Sequence, residues 1–381
     1  MPRAIVDITP AGQRPDEDPS LAVRNNGGAQ PSSAPAPAGR REALLLLSFG
    51  GPEGHDDVMP FLENVTRGRG IPRERLEEVA EHYHHFGGVS PINDQNKALI
   101  AALEGGLRAA GVDLPVYWGN RNWAPYVEDV WQQMADDGIE HAYVLATSAY
   151  ASFSGCRQYH EDIARARAAM TGDAAAPGGP TAEKLPHYFD AEGFVRANAD
   201  ALAAALAELP TDVRDPARLV ATAHSIPDSM AAVAGPEGHA YETELQAAAR
   251  LVVDLVAPGR AFDLVWQSRS GPPSVPWLEP DVNDHLEALA GAGEKAVVLF
   301  PVGFVSDHLE VIWDLDNEAR ETAEKVGLAF ARAATAGTHP EFVRSLVELL
   351  VERRAGGEPR LGTNCPASCC FTPPRPARPT A

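Results

Sequence analysis

The chain has 381 residues, 44% hydrophobic and 22% charged, which excludes wholesale disorder and allows a sizeable core of about two ordinary domains. Its 53 acidic residues against 32 basic ones give a formal charge of −21, a field that repels phosphate backbones and gathers cations, so a nucleic-acid partner is not expected. No run of about 18 apolar residues occurs, and ALLLLSFGGP lies too far along the chain for an export signal, so a cytoplasmic protein without a transmembrane segment is expected.

Residues 1–40 are rich in Pro, Ala, Gly and Ser and have no apolar period, the composition of a disordered tail. Beyond them, EALLLLSF, LPVYWGN, HAYVLATSAY, ARLVATAH, FDLVWQS, KAVVLFPVGF and GLAFARAAT read as strands. Between them RERLEEVAEHYHHF, NKALIAALEGGLRAAG, APYVEDVWQQMADDG, FVRANADALAAALAEL and YETELQAAARLVVDLV have helical period, and PEFVRSLVELLVERR follows the last strand. Strands apolar throughout and spaced by helices predict an α/β fold with parallel sheets covered on both faces, whose ligand sites lie beyond the strand carboxyl ends. LLLLSFGGP and LVATAHSIP are alike, and this predicts two similar halves, residues 41–155 and 156–335, followed by a C-terminal helix and Cys-containing extension over 336–381.

Three stretches carry candidate chemistry. In ATAHSIPDSM, His224 closes a buried strand; such an imidazole is either a satisfied core side chain or, at a strand end, a proton acceptor or metal ligand. In SDHLEVIWDLDNEA, Glu310, Asp314 and Glu318 recur every four residues, a stripe on a helix that a π-type turn would align more closely. A solvated acidic helix start competes with a ladder of oxygen ligands, but Val311, Ile312 and Trp313 set apolar bulk between the acids, which raises carboxyl pKa values. VTRGRGIP and YHHFGGVSPIN place Arg67, Arg69 and Ser90 in glycine-rich loops, as an exposed basic loop or as donors to a ligand's acidic groups. His82 and His85 read as surface histidines.

Four cysteines, Cys156, Cys365, Cys369 and Cys370, are more suited in a reducing compartment to holding metal than to structural disulfides. The C-x3-C-C spacing does not choose between zinc and an iron-sulfur cluster.

LLLLSFGGP, YHHFGGVSPIN, TAHSIP, WQSRSGPPSVPWLEP and PVGFVSDHLEVIWDLDNEA, in this order, resemble the motif set of the ferrochelatases, in their actinobacterial type similar to coproporphyrin III ferrochelatase. The resemblance covers residues 42 to 355. It implies two Rossmann-like halves with a porphyrin cleft between them, ferrous iron and porphyrin as substrates, and no nucleotide. The product implied is iron coproporphyrin III, passed on to a downstream haem-pathway enzyme, and the expected state is a monomer.

By the same resemblance His224 and Glu310 share iron coordination and proton removal from opposite faces of the macrocycle, with Asp314 and Glu318 handing iron toward Glu310. Ser90 and Tyr159 match porphyrin-propionate contacts, assisted by Arg67 and Arg69. Phe49 stands where some relatives place an iron-ligating Tyr, and with no lone pair it only packs against the ring. Cys156, Cys365, Cys369 and Cys370 match a [2Fe-2S] ligand set, in preference to zinc or a bare thiol set. Alternatives are insertion into protoporphyrin IX, a cobalt or nickel tetrapyrrole chelatase, and a non-catalytic haem-binding module.

Overall fold

The computed structural model describes residues 39–68, 70–270, 274–363, 365 and 369–371. The tail expected over residues 1–40 lies outside the described residues up to 38, as does Arg69.

Two four-stranded parallel sheets form the frame. The first contains β1 (Glu42–Ser48), β2 (Val116–Asn120), β3 (His141–Ala146) and β4 (Thr181–Lys184) in the order β2-β1-β3-β4. The second contains β5 (Arg218–His224), β6 (Phe262–Gln267), β7 (Ala296–Phe300) and β8 (Ala329–Arg332) in the order β6-β5-β7-β8. The orders are the same with each strand number raised by four, so LLLLSFGGP and LVATAHSIP occupy equivalent places, β1 and β5. These are the parallel sheets that the strand–helix rhythm predicts, arranged as the two Rossmann-like halves that the resemblance implies.

All seven expected strands form. The eighth, β4, pairs with β3 at an edge and is only four residues, TAEK, too short and polar to show a strand pattern. The first sheet therefore extends to Lys184, past the boundary expected at 155, which would cut β4 and the helix Gln158–Ala169 from the sheet they cover. A further helix absent from the expectation, His55–Val65, buries Val58, Phe61, Leu62 and Val65 at helical spacing but carries Pro60 inside it, a residue that argues against a helix interior.

Every residue of β1 is buried, and its alternation feeds two cores. Ala43, Leu45 and Leu47 pack with Val130 and Trp131 on one face. Leu44 and Leu46 join a larger core on the other, which also takes Leu219, Ala221 and Ala223 of β5 and Val298 and Phe300 of β7. One apolar cluster thus spans both sheets and joins the halves. The helices Glu192–Glu208 and Pro340–Arg354 cross within it, close enough that a Cβ on Gly193 would stand 1.8 Å from the Glu341 carbonyl oxygen. Among the described residues no helix is long and apolar enough to cross a membrane.

Candidate active site

The carboxyl ends of both sheets open on one cleft enclosing about 1630 Å³ of space, solvent at its mouth included. Residues just past the strand ends supply its walls: Phe49 after β1, Arg121 after β2, Thr147 after β3 and Phe304 after β7, with His224 closing β5. A parallel sheet aims its chain ends and its loop backbone at this side, which is why the site forms here.

His224 is nearly buried, and its Nδ1 lies 2.5 Å from the Ser225 carbonyl oxygen, so Nδ1 carries the hydrogen and donates. The lone pair is left on Nε2, which has no protein partner. Burial lowers the His224 pKa to about 4, partly opposed by the Ser225 bond, so the ring is neutral near pH 7. The Tyr241 hydroxyl donates to the His224 carbonyl oxygen at 2.9 Å and fixes the end of β5.

Glu310 Oε2 stands 4.0 Å from His224 Nε2 and 4.0 Å from His308 Nδ1. Burial raises the Glu310 pKa to about 7 and lowers that of His308 to about 3. Neither contact is an ion pair, because both imidazoles are neutral where Glu310 ionises. Groups touching opposite faces of a flat ring stand about 7 Å apart, two carbon-contact distances. The 4.0 Å separation therefore corrects the expectation of opposite faces: His224 and Glu310 stand on one side of the cleft, with no room for a ring between them.

The acidic stripe starts at Glu310 in a single helical turn, Leu309–Val311, and continues through Asp314 and Glu318 in the π-helix that follows, Ile312–Ala319. π-turns are rare and tend to mark functional sites. Asp314 is buried and accepts from the Ser268 hydroxyl and, at 3.2 Å, from Gln267 Nε2. Burial holds its pKa well above the usual range, against the Ser268 bond and with the charges of Glu310 and Glu318 adding to the rise. That mutual repulsion shows the three carboxyls to be neighbours. Glu318 accepts from Trp313 Nε1 at 3.0 Å. His82 stacks on the Trp313 ring at 3.9 Å, so it is a half-buried packing partner, while His85 meets the same ring edge-on and stays exposed.

Across the cleft, Phe49 packs edge-on against Phe61 at 6.3 Å and offers only its ring. Ser90 and Tyr159 are buried and line the cleft, and Arg67 lies exposed at its rim. The residue missed from sequence is Arg121. Its guanidinium lies 4.2 Å over the Tyr159 ring, with Nε 2.5 Å from Asp162 and Nη1 3.0 Å from Gln158, while Nη2 is buried without a partner. Its place directly after LPVYWGN, at a strand's carboxyl end, was the available signal.

The cysteines converge on the far side of the π-turn Phe153–Arg157, which carries the buried Cys156. Cys365 is hydrogen-bonded to Cys156 and Cys369, and Cys369 Sγ lies 3.8 Å from Cys370 Sγ. The amides of Gly362 and Gly235 donate to Cys365 Sγ at 3.3 Å and to Cys370 Sγ at 3.2 Å. The Cys156 and Cys369 bonds pull the Cys365 thiol down, and the Cys369 bond pulls Cys370 down. Among the described residues, no three His, Cys, Asp or Glu side chains stand in metal-holding positions. Four thiols in one contiguous set, two receiving amide hydrogens, nonetheless match the donor chemistry of a thiolate-bound cluster.

The ferrochelatase family model matches residues 41–354. Relatives include the coproporphyrin III ferrochelatase of Nocardia farcinica, 59% identical over 88% of this chain and 98% of that protein. Those of Mycolicibacterium smegmatis, 60% identical over 84% and 92%, and Streptomyces griseus, 52% identical over 89% and 95%, carry the same name.

Proposed function

The chain belongs to the ferrochelatase family, and we infer from this premise and from its cleft that it inserts ferrous iron into coproporphyrin III. The product is iron coproporphyrin III, and two pyrrole protons leave for each ion that enters. The observation that carries the reading is the bare Nε2 of a neutral His224 beside a carboxyl poised near pH 7, on one side of a cleft built by both halves.

The two pKa values divide the labour. Glu310, ionised from about pH 7, is the stronger base and takes the pyrrole protons in turn. His224, a weak base at about 4, offers Nε2 to the iron as a neutral nitrogen donor. Asp314 and Glu318 pass the ion toward Glu310, since carboxylate oxygens hold divalent metals loosely enough to release them. The raised Asp314 pKa supports this role, because a neutral carboxyl accepts an ion by exchanging a proton for it. Phe49 packs against the other face of the ring. Ser90, Tyr159 and Arg67 hold the propionates, with Arg69 assisting from outside the described residues, and Arg121 adds its unpartnered Nη2.

Cys156, Cys365, Cys369 and Cys370 would hold a [2Fe-2S] cluster, which ties the C-terminal extension to the body and supplies a one-electron centre apart from the cleft. Chelation itself transfers no electron. The protein works as a monomer in the cytoplasm and hands its product to a later haem-pathway enzyme.

The test mixes the protein anaerobically with ferrous iron and coproporphyrin III and follows porphyrin fluorescence. Loss over many equivalents per protein supports the enzyme, and loss limited to one equivalent would reduce it to a binder. Slower turnover on coproporphyrin III than on protoporphyrin IX would reassign the substrate.

A further inference from the structure

The π-helix Ile312–Ala319 carries Asp314 and Glu318 and follows the turn that holds Glu310. Its turns are wider and less favourable than α-helical ones, so a long-range contact must hold it. The structure offers several, Ser268 and Gln267 on Asp314 and His82 on Trp313 among them, and the most extensive is charged. Arg332, the last residue of β8 and one-tenth exposed, sends Nε to Asp316 Oδ1 at 3.0 Å and Nη2 to Asp316 Oδ2. Its Nη1 reaches both Asp307 oxygens, at 3.1 and 3.3 Å. One guanidinium thus grips the segment on either side of Glu310 and Asp314.

The grip also reaches the first half. The Asp307 backbone N–H donates to Gln95 Oε1 at 2.9 Å, from the helix Ile92–Ala109 across the cleft. Of the five acids from 307 to 318, Asp307 and Asp316 take the guanidinium, while Glu310 and Asp314 remain directed at the cleft and at Ser268. A planar fork on Asp316 fixes rotation about the helix axis, which a single point contact would not.

We propose that Arg332 is the positioning residue of the iron route: it locks the rotation of the π-helix and so sets the spacing of Glu310, Asp314 and Glu318, without touching iron or porphyrin. The inference rests on reading that stripe as the path of the ion. It separates two functions within one acidic segment, carboxylates that carry iron and carboxylates that hold the carriers in register.

The test measures iron and coproporphyrin III saturation separately in Arg332→Lys, Arg332→Gln, Asp316→Asn and Asp314→Asn, with porphyrin affinity read from fluorescence quenching without iron. Arg332→Gln is expected to raise KM for iron by about tenfold to a hundredfold, as misplaced reacting groups do, with porphyrin affinity unchanged within about twofold. Arg332→Lys, whose ammonium cannot fork, is expected to fall between, and Asp316→Asn to match Arg332→Gln. The double variant Arg332→Gln/Asp316→Asn should be no worse than either single one. Equal losses toward both substrates would make Arg332 a general structural contact and overturn the proposal. If Asp314→Asn raises KM for iron and the Arg332 variants do not, the route stands and the positioning role falls. If Asp314→Asn leaves it unchanged, the route reading falls and this inference with it. Should Arg332→Gln fail to fold, Arg332→Lys and Asp316→Asn decide.

Discussion

His224 Nε2 and Glu310 Oε2 stand 4.0 Å apart, one at the end of β5 and the other in the turn that precedes the π-helix. Burial drives their pKa values past each other, His224 to about 4 and Glu310 to about 7. Near neutral pH the pair holds at most one proton, and it sits on the carboxyl. This inversion of the ordinary order follows from desolvation, which penalises the cation and the anion alike.

The pair predicts a pH profile. As the proposed base, Glu310 takes protons only when ionised, so kcat/KM for iron should rise as pH climbs through about 7 and level off above it. His224 adds no limb above about pH 5, being neutral there already. In Glu310→Gln the rise should vanish and the rate fall by about 10²–10⁴, the usual worth of a positioned base. Stopped-flow insertion assays from pH 6 to 9 check both, and an unshifted limb in Glu310→Gln would assign it to another group.

The same raised carboxyl sets a stability trend. A folded-state pKa above the unfolded value favours the fold below the unfolded pKa, and this advantage is lost as pH rises through about 7. Glu310→Gln removes the cost of ionising a buried acid, so its thermal midpoint should gain on the parent between pH 5 and pH 8. Scanning calorimetry of metal-free protein measures this, and a gain independent of pH would contradict the assignment.

Porphyrin anchoring should separate from iron binding. Ser90→Ala removes a buried cleft hydroxyl that, on the proposed reading, meets the carboxylate-bearing edge of the substrate. A hydrogen bond to a charged group contributes about 1.5–3 kcal/mol, so porphyrin affinity should drop by about tenfold or more while KM for iron holds. Fluorescence titration reads it.

The thiols predict a coloured protein. Purified without oxygen, it should be red-brown, and Cys369→Ser should lose the visible absorption. Stripping the metal should lower the thermal midpoint by several degrees, because a ligand bound only to the folded state stabilises it. A colourless protein holding one zinc ion would replace the cluster reading.

A fifth expectation concerns the joint between the halves. Gly193→Ala places a methyl 1.8 Å from a backbone oxygen of the partner helix, so the two helices must separate. The cost should be about 1–3 kcal/mol or more by urea unfolding.

Much of this was legible along the chain, and for local reasons. Strand and helix character follow from apolar spacing: EALLLLSF reads as a doubly covered strand because each of its residues is apolar or flanks one that is, and β1 is buried throughout. The place of His224 and Phe49 follows too, since chain direction puts strand carboxyl ends on one side of a parallel sheet. The four-residue rhythm of Glu310, Asp314 and Glu318 was legible as a helical stripe that a π-type turn would align more closely, and a π-helix forms at Ile312–Ala319. The polar TAEK strand was not legible, because β4 exists only by pairing with β3, and Arg121, though its place at a strand end could be read, meets Asp162 and Tyr159 only in the fold.

Residue order alone thus settled the α/β class and the repeated half, and it named His224, Glu310 and Asp314 as candidates. Folding in three dimensions settled that His224 and Glu310 share one wall of the cleft, that burial raises the Glu310 and Asp314 carboxyls, and that Arg332 pairs with Asp307 and Asp316. Spacing is a property of neighbours in the chain, whereas desolvation and charge pairing are summed over atoms that meet from residues as distant as Gln95 and Asp307.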